Sequence, residues 1–217
     1  MMASQGGEPT TGRALWPGIA GIASGGLLMF GGLLGWRTPD TSGKDAVREV
    51  ISFYSKESNR HWAEAEALIL LGAAMLFLFF LAALTRAAGS RATLVMTGGT
   101  VFAVSLMVAA ISSNVFAITA NYSDAFHVVP GTALIAILLL DVGYGAMIGA
   151  MAGAAVMLFA VWRAARTTPG AVPQWLAWAG FVVAVLSLAG PVSGWLTPLL
   201  MALWLVAAGV VMVVRKA

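Results

Sequence analysis

Apolar residues run almost without interruption along six stretches of this chain, roughly 14–36, 62–84, 93–119, 131–162, 174–192 and 195–214, with short polar segments between them. A helix of about 20 apolar residues crosses a hydrocarbon layer of about 30 Å. The pattern therefore predicts an all-α fold, a polytopic transmembrane bundle of six spans. Trp16 and Trp36 bracket the first run about 30 Å of helix apart, as interfacial tryptophans do. This run is expected to remain as a span rather than be removed as a signal, because it is longer than a signal core and no A-x-A-like site follows it. The run 131–162 corresponds to about 47 Å of helix, so it must tilt, kink or protrude.

The longest polar segment, Arg37 to Arg60, alternates Lys and Arg with Asp and Glu. Within it, Ser42 and Asp45 fit a capping box, and Val47, Val50, Ile51 and Tyr54 recur at helical spacing. A short amphipathic helix is predicted here, lying on the membrane surface or capping the bundle. Residues 1–12, polar and rich in Gly, Ser and Thr, are expected to form a disordered tail.

Composition agrees with a membrane protein: of 217 residues, 60% are hydrophobic and 10% charged. The formal charge of +3 has no basic face, which excludes nucleic acid as a partner. Arg13, Arg86, Arg91, Arg163, Arg166, Arg215 and Lys216 fall on one side of the predicted topology, whereas the basic residues of the 37–60 loop are balanced by acids. Both termini are thus expected to be cytoplasmic, in a multi-pass protein of the cytoplasmic membrane. The lipid bilayer is the first partner, followed by a membrane-protein partner or a second copy of the chain. With no cysteine, disulfides and thiolate chemistry are excluded.

Asp141 interrupts the fourth run, and Gly145, Gly149 and Gly153 follow it at four-residue steps. Such a stripe lets helices approach closely, and the carboxylate is expected to face protein or a watered cavity rather than lipid. Gly21 and Gly25 mark a comparable packing position on the first span. The topology gathers His61, Glu64 and Glu66, Asn114, and Asp124 and His127 at the outer end, where they are expected to converge with Asp141. A hydrogen bond from Asn114 or a serine would then fix Asp141 as a register-setting residue.

Chemistry beyond this is sparse. His61 and Glu64 have metal-ligand spacing but no second such pair, so no metal and no cofactor is assigned. Gly143, Gly145 and Gly149 sit inside a predicted helix with no strand before them, and Ser193 has no histidine within a span to activate it. No catalytic residue follows from the sequence. It points to a structural or interaction component of the membrane. A proton- or cation-coupled transporter using Asp141 and Glu66 is the alternative, and a metal-dependent membrane enzyme the second.

Tyr54 ahead of the second span, Asp141 in the fourth, and Pro173-Gln174-Trp175-Leu176-Ala177-Trp178 opening the fifth give a layout that resembles a family of bacterial six-span membrane proteins of unknown function. The resemblance covers nearly the whole chain. It implies the six-span fold and no activity, cofactor or catalytic residue.

Overall fold

The computed structural model describes residues 11–124, 126–167, 172–189 and 193–215. Most of the expected disordered tail, the 168–171 part of the linker before the fifth run, and the 190–192 end of that run lie outside the described residues. Seven α-helices occur among the described residues. They are α1 (Thr11–Gly35), α2 (Ala46–Tyr54), α3 (Glu57–Ala87), α4 (Ala92–Tyr122), α5 (Pro130–Thr167), α6 (Gln174–Ser187) and α7 (Ser193–Val214). A 3-10 turn, Gly89–Arg91, joins α3 to α4. Its Gly89 has φ +53°, a left-handed conformation that lets the chain reverse directly after a helix end.

Five helices, α1, α3, α4, α5 and α7, are long and apolar enough to cross a membrane, the architecture of a multi-pass membrane protein. The helix from the fifth run is shorter than the sequence pattern predicts. α6 has 14 residues, about 21 Å, and ends at Ser187. α3, α4 and α5 overrun their predicted limits at both ends. α3 and α4 each reach 31 residues and α5 reaches 38, about 57 Å.

The six apolar helices close into a ring in which each packs on its neighbours in the order α1, α3, α4, α5, α6, α7, with α7 returning to α1. Lipid tails are as apolar as the side chains, so burying leucine gives little drive for association. Close van der Waals packing at small residues does more. Gly98 of α4 and Gly153 of α5 meet back to back, as do Gly18 of α1 and Gly209 of α7, and Gly25 lies against the Ala202 carbonyl. Gly21 accepts the Phe80 ring, and Gly99 accepts the Leu81 side chain. Inside the ring, Phe77, Phe80, Phe102, Leu81, Leu106, Met151, Met157 and Leu158 are fully buried. The Phe77 and Phe102 rings meet edge to face at 4.8 Å. Near the end where α1 begins and α7 finishes, Phe159 and Trp162 of α5 pack against Trp178 and Phe181 of α6, anchoring the short helix.

A second, smaller core lies at the opposite end. α2 buries Val50 and Tyr54 against Ala63 of α3, Phe116 and Ala117 of α4, and Ala133 and Ala136 of α5. The amphipathic helix thus caps the bundle. Its expected capping box does not form. α2 begins at Ala46 with Asp45 as N-cap and no side-chain cap bond. Ser42 lies too far ahead of that start, and its hydroxyl and backbone N–H both donate to Asp40 Oδ1, at 2.6 and 2.8 Å. The hydroxyl bond, then the backbone bond, holds the Asp40 carboxyl below its usual range. Packing of the apolar face, rather than the cap, positions α2.

Candidate functional site

Helix register locates the polar residues. Between α3 and α4 it brings Arg60 beside Asn121 and Leu81 beside Gly99, and between α4 and α5 it brings Ser113 beside Gly143 and Gly98 beside Gly153. Continuing this register places Glu66, Val115 and Asp141 at one level. Gly35, at the end of α1, touches the Glu66 carboxylate, so Trp36 lies at that level too. From Arg163 to Asp141 is about 33 Å of helix, close to one hydrocarbon thickness. The first three turns of α5, the end of α4 and the start of α3 therefore project past this level and carry the α2 cap. That explains the excess length of the run 131–162.

Asp141 is exposed, and its Oδ1 accepts a hydrogen bond from the Thr41 hydroxyl at 3.2 Å. Its partner is neither Asn114 nor a serine, because the loop leaving α1 folds over α5 at this height. Gly145 meets nothing within 4 Å, Gly149 makes ordinary contact with Ser105, and Gly153 alone of the three takes part in the tight crossing. The stripe turns away from α4 towards its Asp141 end, while Gly143, one helical face over, meets Ser113.

The expected outer cluster separates into three places. His61 lies between Glu57 and Glu64 on the exposed side of α3, Nε2 at 3.4 Å from Glu57 and Nδ1 at 3.8 Å from Glu64. The Tyr122 hydroxyl donates to Glu64 Oε1 at 2.9 Å. Such exposed pairs are screened by water and contribute little to stability. Asp124 and His127 are exposed in the α4–α5 loop, where the Thr132 hydroxyl donates to the His127 carbonyl at 2.7 Å. No group of three His, Asp or Glu residues suited to a metal occurs among the described residues.

Glu66 and Asn114 do come together. Glu66 is 8% exposed and Asn114 1%. Both line a cavity of about 20 Å³ beneath the cap, with Tyr54, Asn59, Arg37 and Trp62. That volume accommodates one water-sized particle. Asn114 Nδ2 donates to the Ala110 carbonyl at 3.0 Å, and Asn59 Nδ2 donates to the Phe53 carbonyl at 3.0 Å. Each amide spends one N–H on backbone, so the groups left for the cavity are the second N–H and the oxygen of each amide, the Tyr54 hydroxyl and the Glu66 carboxylate. Among the described residues, no hydrogen bond engages the two amide oxygens, the Tyr54 hydroxyl or the Glu66 carboxylate. Arg37, on the rim, is exposed and lies over the Trp62 ring at 5.6 Å. Burial, and to a lesser degree the nearby Glu66 carboxylate, pushes the Tyr54 phenol ionisation well up.

Arg60 closes the back of this region. Its Nη1 donates to the Tyr54 carbonyl at 2.7 Å and its Nε to Asn121 Oδ1 at 2.6 Å, tying α2, α3 and α4 together. Sequence pattern alone does not mark Tyr54, Asn59 or Arg60 as site residues. The helical spacing of Val47, Val50 and Tyr54 does mark Tyr54 as inward-facing, which is the signal that leads to it. No protein-family model matches the chain, and no curated protein or solved structure is significantly similar to it.

Proposed function

We propose that this chain is a six-crossing protein of the cytoplasmic membrane, with both termini cytoplasmic, that acts as a structural or interaction component rather than a conduit or an enzyme. The fifth crossing is the apolar run that α6, with its 14 residues, opens. Sidedness rests on Arg86, Arg91, Arg163, Arg166 and Arg215 at one end, against a loop at the other end whose basic residues alternate with acids.

The observation that carries the reading is the filled interior between the Glu66 cavity and the end where α1 begins and α7 finishes. Phe77, Phe80 and Phe102 interlock there with Leu81, Leu84, Met151 and Leu158, all under 2% exposed. An ion path would have to displace these side chains. The buried carboxylate of Glu66 favours a second reading, proton or cation coupling, since acids at such depth often mark ion paths.

Two measurements separate the readings. Proteoliposomes holding the protein are expected to dissipate imposed proton and sodium gradients no faster than protein-free vesicles. Faster decay abolished by Glu66→Gln supports the transporter instead. A photo-crosslinking residue at exposed Val104 or Leu138 is expected to give a discrete protein adduct in native membranes, with a partner or a second copy. Adducts with lipid alone would contradict an interaction role.

A further inference from the structure

We infer that the lipid-facing groove where α4 crosses α5, at the end where α1 begins and α7 finishes, is a binding site for an anionic phospholipid, with Arg91 and Arg163 on its phosphate and the apolar walls on an acyl chain. Among the described residues, four side-chain polar atoms are buried without a hydrogen-bond partner, and three of them, Thr85 Oγ1, Arg91 Nε and Trp162 Nε1, lie at this end. The two nitrogens can only donate, so this end is short of acceptors. No carboxylate supplies them. Every Asp and Glu among the described residues lies within 40–66 or at 124 and 141, towards the opposite end. Among the described residues, neither the Arg91 nor the Arg163 guanidinium has an ion-pair or hydrogen-bond partner. A phosphodiester brings acceptor oxygens together with negative charge, and the guanidinium fork matches its geometry.

Helix register brings the two arginines together. The 3-10 turn that carries Arg91 packs on α5. Gly98 lies beside Met157, and two helical turns further towards this end the same register sets Arg91 level with Ala164, next to Arg163. Ala164 is buried, whereas Arg163 is exposed on the same face as exposed Val156, two turns away. On α4, exposed Leu94 and Val101 flank the crossing, and a Cβ on Gly153 would lie 2.9 Å from Val101 Cγ1. The close glycine crossing thus leaves a shallow groove walled by Leu94, Val101 and Val156 that leads to the arginine pair. Two neighbouring arginines are engaged elsewhere. Arg166 lies over the Trp162 ring at 5.1 Å, and Arg86 Nε donates to the Ala82 carbonyl of its own helix at 3.1 Å. The groove decides the source of the phosphate. A free phosphate would use the arginines alone, whereas a lipid also covers the exposed leucine and valines, and basic sites between membrane helices take such headgroups. This site goes beyond the interaction role and does not depend on it.

The test is native mass spectrometry of the purified full-length protein, released from detergent micelles that hold equimolar phosphatidylglycerol and phosphatidylcholine with the same acyl chains. The parent chain is expected to retain phosphatidylglycerol about twentyfold more often than phosphatidylcholine, and Arg91→Gln and Arg163→Gln are each expected to lower that preference about fivefold. Arg163 is exposed, so its variant remains informative if Arg91→Gln does not fold. Arg86→Gln removes the same charge from the same end and is expected to keep the preference. Added inorganic phosphate is expected to leave the lipid in place. Equal retention of the two lipids by the parent chain overturns the proposal. An equal loss in Arg86→Gln overturns it too, since that would mean diffuse attraction to a basic end. Displacement by inorganic phosphate would show a phosphate site that takes no lipid, and contradicts the proposal as well.

Discussion

Gly98 and Gly153 face each other across the α4–α5 crossing so closely that a Cβ on either would lie 2.8 Å from the other's carbonyl oxygen. Both neighbours are backbone and cannot rotate aside. Gly98→Leu is therefore expected to destabilise the bundle by about 2 kcal/mol or more, through overpacking at a site that cannot relax. Gly145→Ala adds its Cβ into open space and is expected to be neutral or to stabilise by up to about 1 kcal/mol, since alanine is the better helix former. Comparing the two variants in reversible detergent unfolding checks the contrast. A larger loss at Gly145 than at Gly98 would mean that α5 packs through its other face.

This contrast also indicates how far the sequence can be read. Span length and the polar breaks follow from the need to satisfy backbone groups in lipid, and α2 follows from a periodic face set between polar residues. Which glycines carry the packing is not legible, because core-facing and lipid-facing positions are equally apolar. Gly145 and Gly153 look alike on one stripe, and only the angle at which α4 crosses α5 separates them. The same limit applies to the acids. Asp141 stands out as the single charge in a long apolar run, yet the surplus length of α5 puts it at the edge beside Thr41. Glu66, one of a pair of glutamates at a span's start, is the buried one because α2 folds over it. That tertiary contact is foreshadowed only by the inward spacing of Tyr54.

The Trp204 indole N–H donates to the Leu176 carbonyl at 3.0 Å, and Gly180 leaves room for it, with a Cβ there only 2.9 Å from Nε1. Trp204→Phe is expected to cost about 1 kcal/mol by removing the bond. Gly180→Ala should cost a similar amount by displacing the ring. Because both act on one contact, the double variant is expected to lose less than the two losses added together. Strict additivity in a double-mutant cycle would show that the indole bond contributes nothing to holding α6.

Asp141→Asn keeps an acceptor for the Thr41 hydroxyl at an exposed position, so its expected effect on stability is below about 0.5 kcal/mol. Thermal unfolding of the variant beside the parent chain decides this. A loss several times larger would show that the charge has a partner other than Thr41.

Alkaline titration should detach the cap. In an unfolded chain the Tyr54 phenol ionises near pH 10, about the model-peptide value. In the folded protein it is raised, first by burial and second by the Glu66 carboxylate. A raised folded-state value means the stability is fully present below about pH 10 and is lost as pH climbs above it. Tryptophan fluorescence against pH is expected to change in that window for the parent chain and to lose the Tyr54-dependent part in Tyr54→Phe. An unaltered alkaline transition in that variant would place its origin elsewhere.

Since the chain contains no cysteine, single cysteines report water access without background. Ser55 lies exposed at the cap, Ser90 is exposed in the α3–α4 turn, and Ala103 is 0% exposed in the core. With a membrane-impermeant maleimide on intact cells, Ser55→Cys should label, Ser90→Cys should label only after the membrane is opened, and Ala103→Cys should not label until the protein is denatured. Labelling of Ala103→Cys in the folded protein, or of Ser55→Cys and Ser90→Cys from the same side, would contradict a bundle that crosses the bilayer with a filled interior and a cap on its outer face.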